Sequence, residues 1–255
     1  MSAFENLVPI RFVDIHKAFG GKRVLDGVTL EVRDGECFFV IGASGVGKSV
    51  LIKHLIGLLR PDSGDIFLAD QEVSRLSEED LGPVRKKCAM VFQNSTLFDS
   101  MTCAENVALP LRKHRGMRFS EALADAKRRL EQVQMERFAD AYPAELGDGM
   151  RKRVAIARAL TLDPEYVLFD EPTTSLDPVS ARRTDVLIRR LCDEFGVTSI
   201  VVSHDLVSIF SIADRIAMLY KGHVRMLGTP DEFQSTDDPV VRQFIRGQAE
   251  GPMEV

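Results

Sequence analysis

The chain has no tryptophan and only three tyrosines among its 255 residues, so the flat aromatic platforms on which single-stranded nucleic acid stacks are scarce. Basic residues are not in excess either. The 33 Lys and Arg against 38 Asp and Glu give a formal charge of −5, with no general pull toward a polyanion. A nucleic-acid partner is therefore not expected. The four cysteines, Cys37, Cys88, Cys103 and Cys192, have no C-x-x-C spacing, and Cys37 sits in an apolar run that reads as buried strand. That usage suits a reduced, cytosolic chain. No apolar stretch approaches the roughly 18 residues a membrane span needs, and Met1-Ser2-Ala3-Phe4-Glu5-Asn6 lacks a basic start and an apolar core. The expectation is a chain that neither spans a membrane nor carries an export signal, yet is long enough to bury a substantial core.

What is present is concentrated in Gly42-Ala43-Ser44-Gly45-Val46-Gly47-Lys48-Ser49, which fits G-x-x-x-x-G-K-[ST]. The apolar run Cys37 to Ile41 precedes it and a helical pattern from Ser49 to Ile56 follows, so strand, loop and helix arrive in the order a phosphate-binding loop requires. The four fixed positions recur by chance in on the order of one chain in a hundred. The flanking pattern lowers that chance much further. Glycines let successive backbone N–H groups turn toward an anion, and the helix N-terminus adds a favourable dipole. The expected ATP-binding set here is Gly42, Ser44, Gly45, Gly47, Lys48, Ser49 and Val50, with Lys48 reaching the β and γ phosphates and Ser49 a Mg²⁺ ion.

Elsewhere, Ile10 to Ile15 and Val28 to Val32 alternate enough to be half-exposed antiparallel strands around a turn at Gly20-Gly21. Ile66 to Ala69 and Cys88 to Phe92 read as further strands. From residue 94 the spacing turns helical, clearest where Leu123, Ala126, Leu130 and Val133 share a face. A basic helix from Met150 to Leu160 then leads to Tyr166 to Phe169 and Thr198 to Val202, continuous apolar runs of the kind buried on both faces of a parallel sheet. The amphipathic helix between them, Ala181 to Phe195, makes a right-handed crossover. The α/β reading is a core of about residues 9–93 and 161–230 with an inserted helical subdomain of about 94–160. From Asp231 the last 25 residues hold six acidic and two basic side chains, read as a helix around Val240 to Ile245 and a loose end. With one phosphate loop and no long repeat, a tandem two-ATPase chain is excluded.

Phosphoryl chemistry also needs a metal partner and a group to orient water. Asp170 and Glu171, closing the run Val167-Leu168-Phe169, supply both at the strand edge where α/β sheets bind ligands. With these residues the chain resembles the ATP-binding subunits of ABC transporters over about residues 9–247. The resemblance implies a P-loop NTPase fold with a RecA-like parallel core, a flanking antiparallel β-subdomain and an inserted helical subdomain. It gives Gln93 the part of the Q-loop glutamine, catalytic and on the metal. It also makes Asp170 and Glu171 the Walker B pair, Ser175-Leu176-Asp177 the D-loop, and His204 the switch histidine. Phe19 takes the adenine-stacking position. Read singly, Phe19 also fits a core residue, Gln93 a solvated strand end and His204 a loop histidine.

The family's signature, usually Leu-Ser-Gly-Gly-Gln, is replaced by Leu146-Gly147-Asp148-Gly149-Met150. In the family this stretch of one subunit caps the γ phosphate bound by another, so Gly147, Asp148, Gly149 and Met150 are the expected contacts in trans. Gly147 lacks the hydroxyl. A carboxylate at Asp148 facing phosphate repels by about 4 kcal/mol for unit charges 4 Å apart at an effective dielectric of 20. The alternative is that Asp148 caps the basic helix and faces solvent. Two further segments, Leu97 to Thr102 with Glu105 to Arg112, and the tail Val241 to Pro252, resemble the Mla and Mkl-type lipid-transport ATPases, as does Met150. That likeness implies ATP, Mg²⁺ and a head-to-tail pair of copies bound peripherally at the cytoplasmic face of the inner or plasma membrane. Its implied partners are an MlaE-type permease, an MCE-domain protein and a small accessory subunit. Leu97, Phe98 and Met101 either offer a groove to a permease helix or belong to the helical subdomain's core. A transporter ATPase for another substrate, or an ABC-type ATPase acting on DNA or ribosomes, remains as the alternative.

Overall fold

A computed structural model describes residues 9–253; the stretch Met1 to Asn6 considered above and the last two residues lie outside the described range. The described residues open with a hairpin, β1 (Ile10–Phe19) and β2 (Lys22–Val32), longer than the alternation predicts. Phe19 pairs with Lys22 across Gly20-Gly21, both at positive φ, the two-residue turn that matches strand twist. Irregular register between Phe12 and Ala18 breaks the period-2 pattern and hides the second half of β1 and the first half of β2 from the sequence.

β3 (Cys37–Ile41) leads through the glycine loop into α1 (Lys48–Leu55), followed by β4 (Ser63–Leu68), the short β5 (Gln71–Glu72), α2 (Leu81–Lys87) and β6 (Cys88–Val91). Then come α3 (Cys103–Arg115), α4 (Phe119–Gln132), α5 (Asp148–Ala159), β7 (Tyr166–Asp170), α6 (Pro178–Phe195) and β8 (Thr198–Val202). The last described elements are α7 (Leu206–Ile212), β9 (Arg215–Tyr220), β10 (His223–Gly228), α8 (Pro230–Ser235) and α9 (Pro239–Arg246).

Two sheets result. One is antiparallel, in the order β2-β1-β4-β5; the other runs β10-β9-β3-β8-β7-β6, parallel from β9 to β6 with β10 antiparallel at the edge. Every residue of β3, β7 and β8 is buried, and alternation splits them between two apolar clusters. Phe39, Val167, Phe169 and Val201 face the cluster that takes in α3 to α6; Phe38, Val40, Leu168 and Ile200 face α1 and the antiparallel sheet. The same alternation turns Asp170, one past Phe169, toward α1.

Local chemistry fixes the helix ends. Thr102 and Glu105 form a reciprocal capping box on α3, and Asp177 caps α6 ahead of Pro178. On α4 the fully buried face is Ala122, Ala126 and Leu130, with Leu123 only half-buried. Leu97 packs on the main cluster while Phe98 stays exposed. The four cysteines are free and buried. Residues 248–253 are not loose: the buried Gln243 donates to Gln248 O and accepts from Met253 N at 2.7 Å, and Met253 packs on the core.

Candidate nucleotide site

The C-terminal ends of β3, β7 and β8 meet the start of α1, and the fold brings Lys48, Ser49, Asp170, Glu171 and His204 together there. Gly47 sits at φ 103°, and an added Cβ would lie 2.8 Å from Leu25 Cδ2 and 2.9 Å from Val24 Cγ1, so the loop packs where only glycine fits. Gly42, Ser44 and Gly45 complete the same loop, and Val50 packs from α1 against the inner cluster. Lys48 is buried, and its Nζ donates to Gly42 O at 2.9 Å and Ala43 O at 3.0 Å, with Glu171 Oε1 at 3.9 Å. Burial pulls its pKa below the usual lysine range, opposed by the Glu171 and Asp170 carboxylates.

The Ser49 hydroxyl donates to Asp170 Oδ1, and Lys53 Nζ lies 3.7 Å from Asp170 Oδ2. One hydroxyl and one carboxylate already in contact form a hard-oxygen donor set, which fits a Mg²⁺ ion that keeps water and phosphate oxygens as its other ligands. Glu171 is in the left-handed region at φ 49°, an uncommon conformation held by its N–H donating to Val202 O at 2.9 Å. That turn aims its carboxylate at His204, whose Nδ1 lies 2.8 Å from Glu171 Oε2, and at the Thr174 hydroxyl, which donates from 3.2 Å.

The remaining expected residues lie apart from this group. Gln93 is exposed just past β6, and Phe19 is exposed at the hairpin tip with Lys17 Nζ 5.3 Å from its ring centroid. Gly147, not Asp148, is the N-cap of α5. Asp148 is the first helical residue, exposed and ion-paired with Arg151, which corrects the capping alternative. Gly149 packs so close to α6 that a Cβ would sit 2.9 Å from Ser180, and Met150 leans on the core. Among the described residues, no hydrogen bond or ion pair joins residues 147–150 to Lys48, Ser49, Asp170, Glu171 or His204.

Lys53, Lys152 and Arg158 belong to no motif and were not expected. Lys53 is four residues after Ser49, on the same helix face. Lys152 hides in the basic run Arg151-Lys152-Arg153, although its spacing from the buried Ala155 and Ile156 puts it on the apolar face of α5.

Residues 25–174 match the ABC transporter family. This chain belongs to that family, and it is an ABC-type ATPase. The methionine import ATP-binding protein MetN of Mesorhizobium japonicum is 43% identical over 84% of the chain, which spans only 59% of that relative. The probable ribonucleotide transport ATP-binding protein mkl of Mycobacterium leprae is 37% identical over 96% of the chain and 71% of its own length. The intermembrane phospholipid transport ATP-binding protein MlaF of Haemophilus influenzae is 36% identical over 98% of the chain and 94% of its own length. Among solved structures, a dimeric ATP-binding cassette in a post-hydrolysis state with ADP and Pi is 32% identical with a TM-score of 0.80, covering 87% of this chain and 98% of that one. Among the described residues no helix is long and apolar enough to cross a membrane.

Proposed function

We propose that this chain binds and hydrolyses ATP as the energising subunit of a transporter that moves phospholipid or a related lipid between membranes. The observation that carries the lipid reading is the two-way correspondence with the phospholipid relative, 98% of this chain against 94% of that one. In this reading two copies face head to tail at the cytoplasmic face of a membrane, docked on an MlaE-type permease that works with an MCE-domain protein. A small accessory subunit completes the assembly. The lobes divide at about residues 94 and 160, with residues 231–255 as the C-terminal helix and tail.

Lys48 exchanges its two loop carbonyls for β- and γ-phosphate oxygens. Ser49, Asp170 and Gln93 would hold Mg²⁺, whose charge would offset that developing on the phosphates. Glu171 takes a proton from the attacking water while His204, bonded to the same carboxylate, fixes its direction and faces the γ phosphate. Phe19 stacks on adenine. From the second copy, Gly147 to Met150 and Asp177 close over the nucleotide, using the N–H groups at the start of α5.

The test is purification of the full chain from membranes with its partners. Recovery with an integral permease and an MCE-domain protein, and ATP turnover abolished by Glu171→Gln with ATP binding kept, is the expected result. Recovery with ribosomes or DNA overturns it. A second reading, import of a small solute, is favoured by the 43% identity to the methionine relative. It predicts turnover stimulated by a solute-binding protein and not by lipid.

A further inference from the structure

A lysine with no carboxylate beside it is buried where the helix beginning at the signature stretch meets the segment that carries Gln93. Lys152 is only 2% exposed, and its Nζ donates to Phe92 O at 3.1 Å and to Gln93 O at 2.6 Å. It makes no ion pair among the described residues. Burial pulls its pKa down to about 8 against the attraction of Asp170 and Asp148. Its methylene stem packs on the apolar face of α5, and its two carbonyl contacts offset the cost of burying the ammonium head.

The contacts do not stand alone. Six residues on, Arg158 donates to Thr96 O at 2.9 Å, Ser95 O at 3.2 Å and Thr96 Oγ1 at 3.0 Å. Thr96 is held in the left-handed region at φ 49°, so the loop turns back onto the guanidinium. The two cations are ~9 Å apart along the helix axis. They grip both ends of residues 92–96, which therefore run beside α5 as one body with it.

We propose that Lys152 and Arg158 form a two-point clasp that joins the Gln93 segment to the signature helix, with Lys152 the positioning residue for Gln93. When the second copy's nucleotide pulls on the start of α5, the clasp carries that displacement to Gln93 in the first copy's own site. The inference rests on the reading of Gln93 given above, and it adds a fixed mechanical link between the two halves of the composite site.

A double-mutant cycle on the full chain tests it, with kcat and KM for MgATP measured for wild type, Lys152→Met, Lys152→Arg, Gln93→Ala and the Gln93→Ala, Lys152→Met pair. Lys152→Met is expected to lower kcat about tenfold with KM for ATP little changed, and Lys152→Arg to restore most of it. In the Gln93→Ala background, Lys152→Met should change kcat less than about twofold. An equal loss in both backgrounds, or no loss in either, overturns the clasp while leaving the Gln93 reading intact. A Gln93→Ala variant as fast as wild type overturns the reading of Gln93 and the clasp with it. Should Lys152→Met fail to fold, Arg158→Gln runs the same cycle from the other end, with the same outcomes.

Discussion

At the scale of single residues, the departure at the signature is the sharpest handle on turnover. Gly147 has φ −70° and an open space where a Cβ would go, so a serine fits without strain and regains a hydroxyl at the helix cap. Asp148 is exposed and paired with Arg151, which offsets part of its charge, so the repulsion from a phosphate falls well short of the bare-charge figure. The Gly147→Ser, Asp148→Gly variant should hydrolyse ATP faster than the unsubstituted chain, with stability changed by only a few tenths of a kcal/mol. Steady-state ATPase assays and thermal melts check both; equal rates in the assembled complex refute an impaired signature. The site itself was legible to different depths. Lys48, Ser49, Asp170 and Glu171 follow from fixed spacings at strand ends, because phosphate chemistry constrains residue type and place together. Lys152 was not legible, since three adjacent cations look alike until packing selects the one whose face is buried.

At the scale of elements, the joint between α6 and α7 stands beside His204 and is held by charge. Asp185 is buried on α6, facing Arg182 at 2.9 Å and the Ser208 hydroxyl at 3.1 Å, while Asp205, the α7 cap that follows His204, takes the other edge of Arg182. Burial outweighs these partners and raises the Asp185 pKa to about 6, whereas hydrogen bonds from Ser208 and the Arg182 charge hold Asp205 below the usual range despite its burial. The sign follows from linkage. An acid whose folded pKa lies above its unfolded value holds its proton in the fold, so its contribution is full below about pH 4 and is lost as pH rises through about 6. Asp185→Asn mimics the protonated form. Its stability relative to wild type should therefore rise between about pH 4 and pH 7, measured as the difference in urea midpoints; a pH-independent difference contradicts the assignment. Much of the fold was legible for a related reason. The runs in β3, β7 and β8 are apolar on both faces because both faces are covered, and no other element type needs that pattern at that length. The second half of β1 and the first half of β2, and short elements such as α7 and β10, were not. Irregular register erases the period in the former, and too few residues accumulate one in the latter.

At the scale of the whole molecule, the central sheet separates two apolar clusters, and Phe169 is fully buried in the larger one directly before Asp170. Phe169→Ala should cost about 3–5 kcal/mol by denaturant unfolding, because the rigid strands around it cannot close on the cavity. The same layout separates the two halves of the phosphate site. Lys48, Ser49, Asp170, Glu171 and His204 gather at the sheet edge, while the N–H groups opening α5 are bonded to none of them. Folding alone does not bring these halves into contact; in the function proposed above a second copy supplies the missing one, and nucleotide trapped between copies becomes part of the interface. With Glu171→Gln blocking turnover, sedimentation velocity should give a monomer without nucleotide or with ADP and a dimer with saturating MgATP. Adding Gly147→Ser and Asp148→Gly to that background contributes one hydrogen bond to a charged oxygen and removes a like charge, so the dimer dissociation constant should fall about tenfold or more. A chain that stays monomeric in saturating ATP would mean that the α5 N-terminus never meets the phosphates of a second copy.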